Sequence, residues 1–149
     1  MSIFPAKVLL AIDGSEEAAL AAQAATELSK ETGSEVHVTY VLPTPAELIG
    51  HHWYSAEVRE SVLEQARSEA QKFLEGRAEQ LGSEGAKVAE AHLRVGEPDK
   101  EIVRLSEEIG ANMIVMGSRG LGAVRRALMG SVSDSVVRHA HCPVLVMRH

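Results

Sequence analysis

Two short segments rich in glycine and serine, near the end of the chain, have the composition of a phosphate-binding loop. Residues 117–122 read GSRGLG, and residues 130–133, which read GSVS, follow Gly120 after nine residues. Glycine lets a backbone turn tightly and present its N–H groups, because no Cβ atom stands in the way of an anion. The second segment also begins a stretch with helical spacing, and the first N–H groups of a helix attract anions. Together the segments predict a cradle for a polyphosphate, with the Ser131 and Ser133 hydroxyls as further donors.

A second interpretation of residues 130–133 is that they only begin a helix. Ser131 and Asp134 have the spacing of a capping box, in which each side chain binds the other residue's main-chain N–H. The charge distribution favours the anion-binding interpretation. The chain carries a formal charge of −6, yet residues 117–149 hold five arginines and one acidic residue. A net negative chain argues against nucleic acid as the main partner, while a basic final fifth suits an anionic small ligand.

A single carboxylate, Asp13, follows the first apolar run of the chain. It either contacts a ligand or caps the next helix through the N–H of Ser15 or Glu16. One acid instead of an acidic pair argues against a phosphorelay receiver, as does Val95-Gly96 where an acceptor aspartate would end the third strand. A flavodoxin's hydroxyl-rich phosphate loop after the first strand is also missing. No GxxxxGK[ST] motif is present, which argues against efficient nucleotide hydrolysis.

The seven histidines raise the alternative of a metal site. His51 and His52 lie in an irregular stretch, and His139, His141 and Cys142 lie near the end of the chain. We predict structural roles for both groups, because a histidine at a helix C-terminus is stabilised without a metal and the pair at 51–52 lacks spaced partners. Cys142 is the only cysteine, which predicts a reducing cytoplasmic compartment and a packing role at the start of the last strand.

Strands and helices alternate along the sequence. Short apolar runs predict strands at 8–12, 35–42, 88–95, 112–116 and 144–147, and helical periodicity predicts helices at 16–32, 55–82, 98–109 and 131–140. This alternation predicts one α/β domain over residues 1–149, built as a doubly wound parallel sheet with right-handed crossovers. Residues 43–54 read as a loop. The strand at 88–95 is predicted at an edge, with Ala89, Ala91, Leu93 and Val95 on one face.

The spaced pattern that links residues 117–120 to residues 130–133 resembles the nucleotide-binding signature of the universal stress protein family. The likeness covers the whole chain, including residues 8–14, residues 112–117 and the HCPVLV ending at 141–146. The resemblance implies a flavodoxin-like, Rossmann-like five-stranded sheet of order 3-2-1-4-5 with helices on both faces. It also implies ATP as the ligand and a homodimer. Ala123 departs from the pattern, since many relatives have glycine there.

The resemblance implies a role for each matching residue. Asp13 would lie beside the ribose or a Mg²⁺ ion bound to the phosphates, and the backbone of Val41 would lie near adenine. The ribose would rest on Met116 and Gly117. The phosphates would be held by Gly120, Gly130, Ser131, Val132 and Ser133, with Arg119 as a charge partner. Arg125 and Arg126 are expected to face solvent or a partner.

These observations predict a cytoplasmic stress-response regulator that binds ATP and signals through its conformation or assembly. The alternatives are a slow Mg²⁺-dependent ATPase and a dimeric interaction module with another adenine nucleotide. The strand at 144–147 is apolar and no helix follows to cover it, so we predict that a homodimer pairs through it. No apolar run approaches the roughly 20 residues of a membrane span.

Overall fold

Five parallel strands and four helices make up the described part of the chain. The computed structural model describes residues 6–44, 55–118 and 130–149. The strands are β1 (Lys7–Ile12), β2 (Glu35–Leu42), β3 (Lys87–Val95), β4 (Met113–Gly117) and β5 (Val144–Met147). The helices are α1 (Glu16–Thr32), α2 (Ala56–Ser83), α3 (Pro98–Ile109) and α4 (Ser131–His139). The sheet order is β3-β2-β1-β4-β5, which confirms the α/β fold and the strand order.

Both faces of the sheet are covered by helices. On one face, Leu10 of β1 belongs to an apolar cluster with Ala21 of α1 and Leu74 of α2. On the other face, Leu9 packs in a second cluster with Leu105 of α3 and Val136 of α4. Neighbouring residues of β1 therefore enter two separate cores, as expected of a central parallel strand. In the described ranges, no helix has the length and apolar character needed to cross a bilayer.

The strand β3 lies at one edge of the sheet, as predicted, but a β-bulge changes which side chains share a face. Val36 pairs with Val88, whereas the next residue, His37, pairs with Glu90, so Ala89 is an extra residue. The predicted placement of Ala91 and Leu93 on one face is confirmed, because both pack with Val88 against the core on the α1–α2 side, but the predicted place of Ala89 on that face is wrong. A bulge shifts the alternation by one position, so the side chains beyond it exchange faces.

The strand β5 forms the opposite edge. The N–H of Ile114 donates to the Pro143 carbonyl (3.0 Å), and the N–H of Ser118 donates to the Met147 carbonyl (2.8 Å). The main-chain groups of successive strand residues point to alternate sides, and those of the odd-numbered residues of β5 point toward β4. The main-chain groups of Val144 and Val146 therefore point away from β4. The outer side of β5 is consequently a row of main-chain donors and acceptors that β4 does not use.

The glycine that ends β4 allows α1 to pack directly against the strand. A Cβ atom at Gly117 would lie 2.7 Å from the carbonyl carbon and Cβ of Glu17, and 2.8 Å from the nitrogen of Ala18. Two of these three atoms belong to the helix backbone, so no side-chain rotation relieves the contact. Gly117 has no positive φ. Glycine is needed at this position because α1 occupies the space of a Cβ atom, whereas the sequence predicted that it was needed for a tight turn.

We expect Gly117→Ala to destabilise the protein by about 1–3 kcal/mol, because the first turn of α1 must move to admit the methyl group. Gly76→Ala is the matched control, since a Cβ atom there meets no atom within 4 Å. In the middle of α2 the control should instead stabilise by about 0.5–1 kcal/mol. Urea denaturation measures both free energies of unfolding. Equal effects of the two substitutions would contradict the packing role of Gly117.

Candidate functional site

A cleft of about 370 Å³ opens at the carboxyl ends of β1, β2 and β4. It lies where the strand order reverses, since β1 has β2 on one side and β4 on the other. Its lining includes eight of the residues that the sequence assigned to a nucleotide: Asp13, Val41, Met116, Gly117, Gly130, Ser131, Val132 and Ser133. Residues separated by more than 100 positions therefore meet in one place. Arg119 and Gly120, also assigned to the nucleotide, lie outside the described residues, as do His51, His52, Ala123, Arg125 and Arg126.

A tight turn carries the chain from β1 into α1 along the cleft. The Asp13 carboxylate accepts the N–H of Ser15 through Oδ1 (2.9 Å), and Gly14 has a φ of 87°. The Ser15 hydroxyl then caps α1 by accepting the N–H of Ala18 (3.1 Å). Asp13 therefore holds the turn with one oxygen and lines the cleft as well. Its turn contact and its proposed ligand contact are compatible, because a carboxylate has several acceptor positions.

The N-terminus of α4 forms the opposite wall. The first helical hydrogen bond runs from the N–H of Asp134 to the Gly130 carbonyl (3.0 Å). The N–H groups of Ser131, Val132 and Ser133 come before it and have no acceptor within the helix. The positive end of the helix dipole lies at the same place. This end of α4 therefore has the geometry of an anion site.

Hydrogen bonds fix α4 relative to β4 and α3. The Ser118 carbonyl accepts both the N–H of Gly130 (2.5 Å) and the Ser133 hydroxyl (2.7 Å). The Ser135 hydroxyl donates to the Asp99 carboxylate in the first turn of α3 (2.7 Å). The N-terminus of α4 is therefore tied to two neighbouring elements. Such ties hold the main-chain donors in place before a ligand arrives, which lowers the ordering cost of binding.

Two details of this helix end differ from the sequence-based prediction. Gly130 is the N-cap residue and no side chain caps the helix, so the capping box led by Ser131 is wrong. Asp134 instead forms an ion pair with Arg138 (3.0 Å). The Ser133 hydroxyl is also engaged with the carbonyls of Ser118 and Gly130. Its main-chain N–H is the donor that remains for a phosphate.

The cleft also contains residues that the sequence did not indicate. Tyr40 lies in its wall and contacts the Phe73 ring edge-on, with ring centroids 5.4 Å apart. Burial raises the pKa of the Tyr40 hydroxyl, and the negative charge of Asp13 raises it further. The remaining unpredicted lining residues are Ala11, Ile12, Ala18, Thr39, Pro43, Pro98, Ile102 and Ser118. They come from the ends of β1, β2 and β4 and from the first turns of α1 and α3, so their place beside the cleft follows from the packing of these elements and not from any motif.

A second cavity, of about 430 Å³, lies between α1 and α2. Phe73, Arg77 and Gln80 of α2 form one side of it, and alanines of α1 form the other. The Arg77 guanidinium stacks over the Phe73 ring, 5.4 Å from its centroid. Gly14 and the N-cap residue Ser15 of α1 also line this groove, but the Ser15 hydroxyl already accepts the N–H of Ala18, and β1 is the only strand whose residues are among its described lining. The smaller cleft is therefore the better candidate for an anionic ligand.

The C-terminal histidines and the cysteine have local structural partners. His139 bonds through Nδ1 to the Ser135 carbonyl (2.8 Å), and His141 pairs with Glu107 (3.2 Å). Cys142 packs against the apolar cluster beneath α3 and α4, which confirms the predicted packing role. Burial raises the pKa of its thiol, although a backbone hydrogen bond from Ile114 opposes the shift. A thiol with a raised pKa is a poor nucleophile and metal ligand.

Comparison with known proteins agrees with this fold. The sequence matches the universal stress protein family over residues 6–148. Universal stress protein YxiE of Bacillus subtilis (strain 168) is 34% identical over 146 residues, which cover 95% of this chain and 98% of YxiE.

Two solved structures extend the likeness. Hypothetical protein MJ0577, solved to assign its biochemical function, superposes with a TM-score of 0.84 at 28% identity, over 99% of this chain and 98% of its own. The universal stress protein of Archaeoglobus fulgidus in complex with dAMP gives a TM-score of 0.64 at 27% identity, over 98% of this chain and 99% of its own. The sequence match covers nearly the whole chain, which therefore belongs to the universal stress protein family.

Proposed function

We propose that this protein is a cytoplasmic regulator that binds an adenine nucleotide, with ATP as the expected ligand, in the cleft at the carboxyl ends of β1, β2 and β4. The observation that carries the proposal is the meeting of the α4 N-terminus with Asp13 and Val41 in one cavity. The volume of about 370 Å³ falls within the range of roughly 300–1,000 Å³ for small-molecule sites. The nucleotide would bias conformation or assembly.

The phosphates would bind at the α4 end of the cleft. The N–H groups of Ser131, Val132 and Ser133 and the helix dipole supply donors and positive potential there. Gly120 and Arg119 would complete this part of the site, as the family resemblance implies. Asp13, on the opposite wall, would repel a bare phosphate, so its carboxylate suits a phosphate-bound Mg²⁺ ion or a ribose hydroxyl.

The nucleoside would bind at the apolar end of the cleft. The cleft has apolar lining side chains that can enclose a flat base, namely those of Val41, Pro43, Pro98, Ile102 and Met116. The backbone of Val41 would face adenine, and Met116 with Gly117 would support the ribose. The complex of the Archaeoglobus fulgidus relative with dAMP supports an adenine nucleotide over a flavin. That likeness also supports a monophosphate as an alternative ligand to ATP.

We expect calorimetry to detect ATP binding by the wild type with Mg²⁺ and at least tenfold weaker binding by Gly130→Asp. The new carboxylate would lie at the phosphate position, while aspartate remains a good N-cap residue, so α4 should still fold. Gly130→Asn is the matched control, because it caps equally well without the charge. Equal affinities of the two variants would contradict the phosphate position. Titration with AMP in parallel distinguishes the nucleotides.

The same site could turn over ATP slowly if Mg²⁺ binds beside Asp13. We expect a rate of phosphate release no higher than that of buffer, because no phosphate-loop lysine is present and no described residue is placed to orient water. Steady-state phosphate assays on the wild type and Asp13→Ala measure this. Release above the buffer rate that disappears in Asp13→Ala would establish the ATPase alternative.

We also propose a homodimer through β5. The main-chain groups of Val144 and Val146 point away from β4, and Leu145 is 38% exposed. An apolar edge of this kind can pair with a second copy across a twofold axis. The family resemblance supports the same arrangement.

We expect Val146→Pro to abolish the dimer without unfolding the protomer, because the lost N–H is one that β4 does not use. Val95→Pro is the control. The N–H of Gly96 donates to the Leu42 carbonyl (2.9 Å), so the N–H of Val95 points outward at the other edge. Light scattering should give about twice 16.0 kDa for the wild type and the control, and 16.0 kDa for Val146→Pro. A wild-type particle of 16.0 kDa at micromolar concentration would refute the dimer.

A further inference from the structure

Two histidines and two glutamates form a compact cluster on β2 and β3. Nδ1 of His37 lies 3.1 Å from Nε2 of His92, and the two rings stack with centroids 5.3 Å apart. Nε2 of His92 lies 3.7 Å from a carboxylate oxygen of Glu90, and Nε2 of His37 lies 3.8 Å from one of Glu35. Ligand atoms of His37, Glu90 and His92 all lie within 4.8 Å of one another. None of these residues lines the nucleotide cleft.

The β-bulge at Ala89 creates this cluster. Because the bulge advances the pairing by one residue, Glu90 stands beside His37 and His92 stands beside Thr39. Without it, Glu90 and His92 would point to the opposite face, toward α1 and α2. Bulges commonly re-aim side chains next to functional sites. The Thr39 hydroxyl donates to the His92 carbonyl (2.9 Å) and holds the shifted register.

The hydrogen bond between the two rings leaves one buried ring nitrogen without a hydrogen-bond partner. His37 is 93% buried, since its exposed fraction is 7%, and its Nε2 has no hydrogen-bond partner. A buried nitrogen without a partner costs free energy. If Nδ1 of His37 binds a metal, Nε2 must carry the proton and faces the Glu35 carboxylate. Metal-binding histidines usually donate their second N–H to such a carboxylate.

The surrounding charge favours a cation. Glu35 and Glu90 flank the rings, and Glu108 of α3 is close enough to act on His92. One guanidinium, that of Arg94, pairs with Glu108. Three carboxylates and one guanidinium leave a net charge of −2 around two imidazoles.

We propose that Nδ1 of His37, Nε2 of His92 and a carboxylate oxygen of Glu90 bind a divalent transition metal ion, with Zn²⁺ as the expected ion. Two histidines and one carboxylate are an established zinc ligand set that leaves a fourth position open. Ligands about 2.0–2.1 Å from a tetrahedral zinc lie about 3.3 Å apart, close to the 3.1 Å between the ring nitrogens. The fourth position takes water. The side chain of Glu90 is 65% exposed and gives the ion a route from solvent.

Calorimetric titration of Zn²⁺ into EDTA-stripped protein without nucleotide tests the site. We expect one ion per chain in the wild type. Binding should weaken at least tenfold in Glu90→Gln and about 100-fold in His92→Ala, since even outer-shell changes cost about 10–100-fold. Saturating Zn²⁺ should also raise the melting temperature of the wild type and leave that of His92→Ala unchanged.

Other histidines provide the controls. His141→Ala and a His51→Ala/His52→Ala double variant should bind Zn²⁺ as the wild type does. Gly130→Asp should do the same, which separates this site from the nucleotide cleft. If His92→Ala fails to fold, Glu90→Gln decides the question, because its side chain is mostly exposed. No binding by the wild type, or unchanged affinity in Glu90→Gln, would overturn the proposal.

Discussion

The burial of β1 on both faces is the constraint on which the rest of the structure depends. A strand with apolar side chains on both sides needs helices above and below the sheet, and right-handed crossovers then lead away from it in opposite directions. Here α1 packs on one face, while α3 and α4 pack on the other. The connections after β1 and β4 therefore diverge, and the space between them is the cleft. The position of the cleft therefore follows from the placement of helices on both faces of the sheet.

The sequence predicts the strands, the helices and the position of the cleft well, because these features depend on patterns that are repeated over many residues. Five apolar runs and four helical stretches predict the elements to within one or two residues, and the spaced glycine segments indicate which strand ends face a ligand. The strand order itself came from the resemblance, since alternation alone does not choose among doubly wound orders. Once β2, β1 and β4 are adjacent, Asp13, Val41 and Gly130 must line one cleft.

Features that depend on a single residue or a single contact were not predictable. The alternation of β3 in sequence gives no sign that Ala89 is an inserted residue, yet the insertion puts Val88 on the same apolar face as Ala91 and Leu93. Gly117 looks like a turn residue in sequence, but its lack of a Cβ atom serves the packing of α1. Ser131 has the type and spacing of a cap, whereas Gly130 holds that position because the Ser118 carbonyl accepts its N–H. Each outcome is decided by tertiary contacts.

The histidine cluster shows that the same limit applies to the prediction of metal ligands from sequence. Metal ligands are sought in sequence by local spacing, which directs attention to 51–52 and 139–142. His37 and His92 are 55 positions apart and meet only because β2 and β3 pair. The helix α3 contacts both the cleft and the surroundings of this cluster. Pro98 and Ile102 in its first two turns line the cleft proposed for the nucleotide, and Glu108 near its end pairs with Arg94 beside His92.

Successive turns of a helix are joined by i→i−4 hydrogen bonds, so the first and last turns of a short helix such as α3 are mechanically connected. A ligand that displaces the first turn of α3 must therefore carry Glu108 with it or break the contact with Arg94. The Ser135–Asp99 hydrogen bond attaches α4 to that same first turn, so the two helices that line the cleft are joined to each other. Arg94 pairs with Glu101 in that first turn and with Glu108 near the end of α3, so ion pairs attach both ends of this helix to β3.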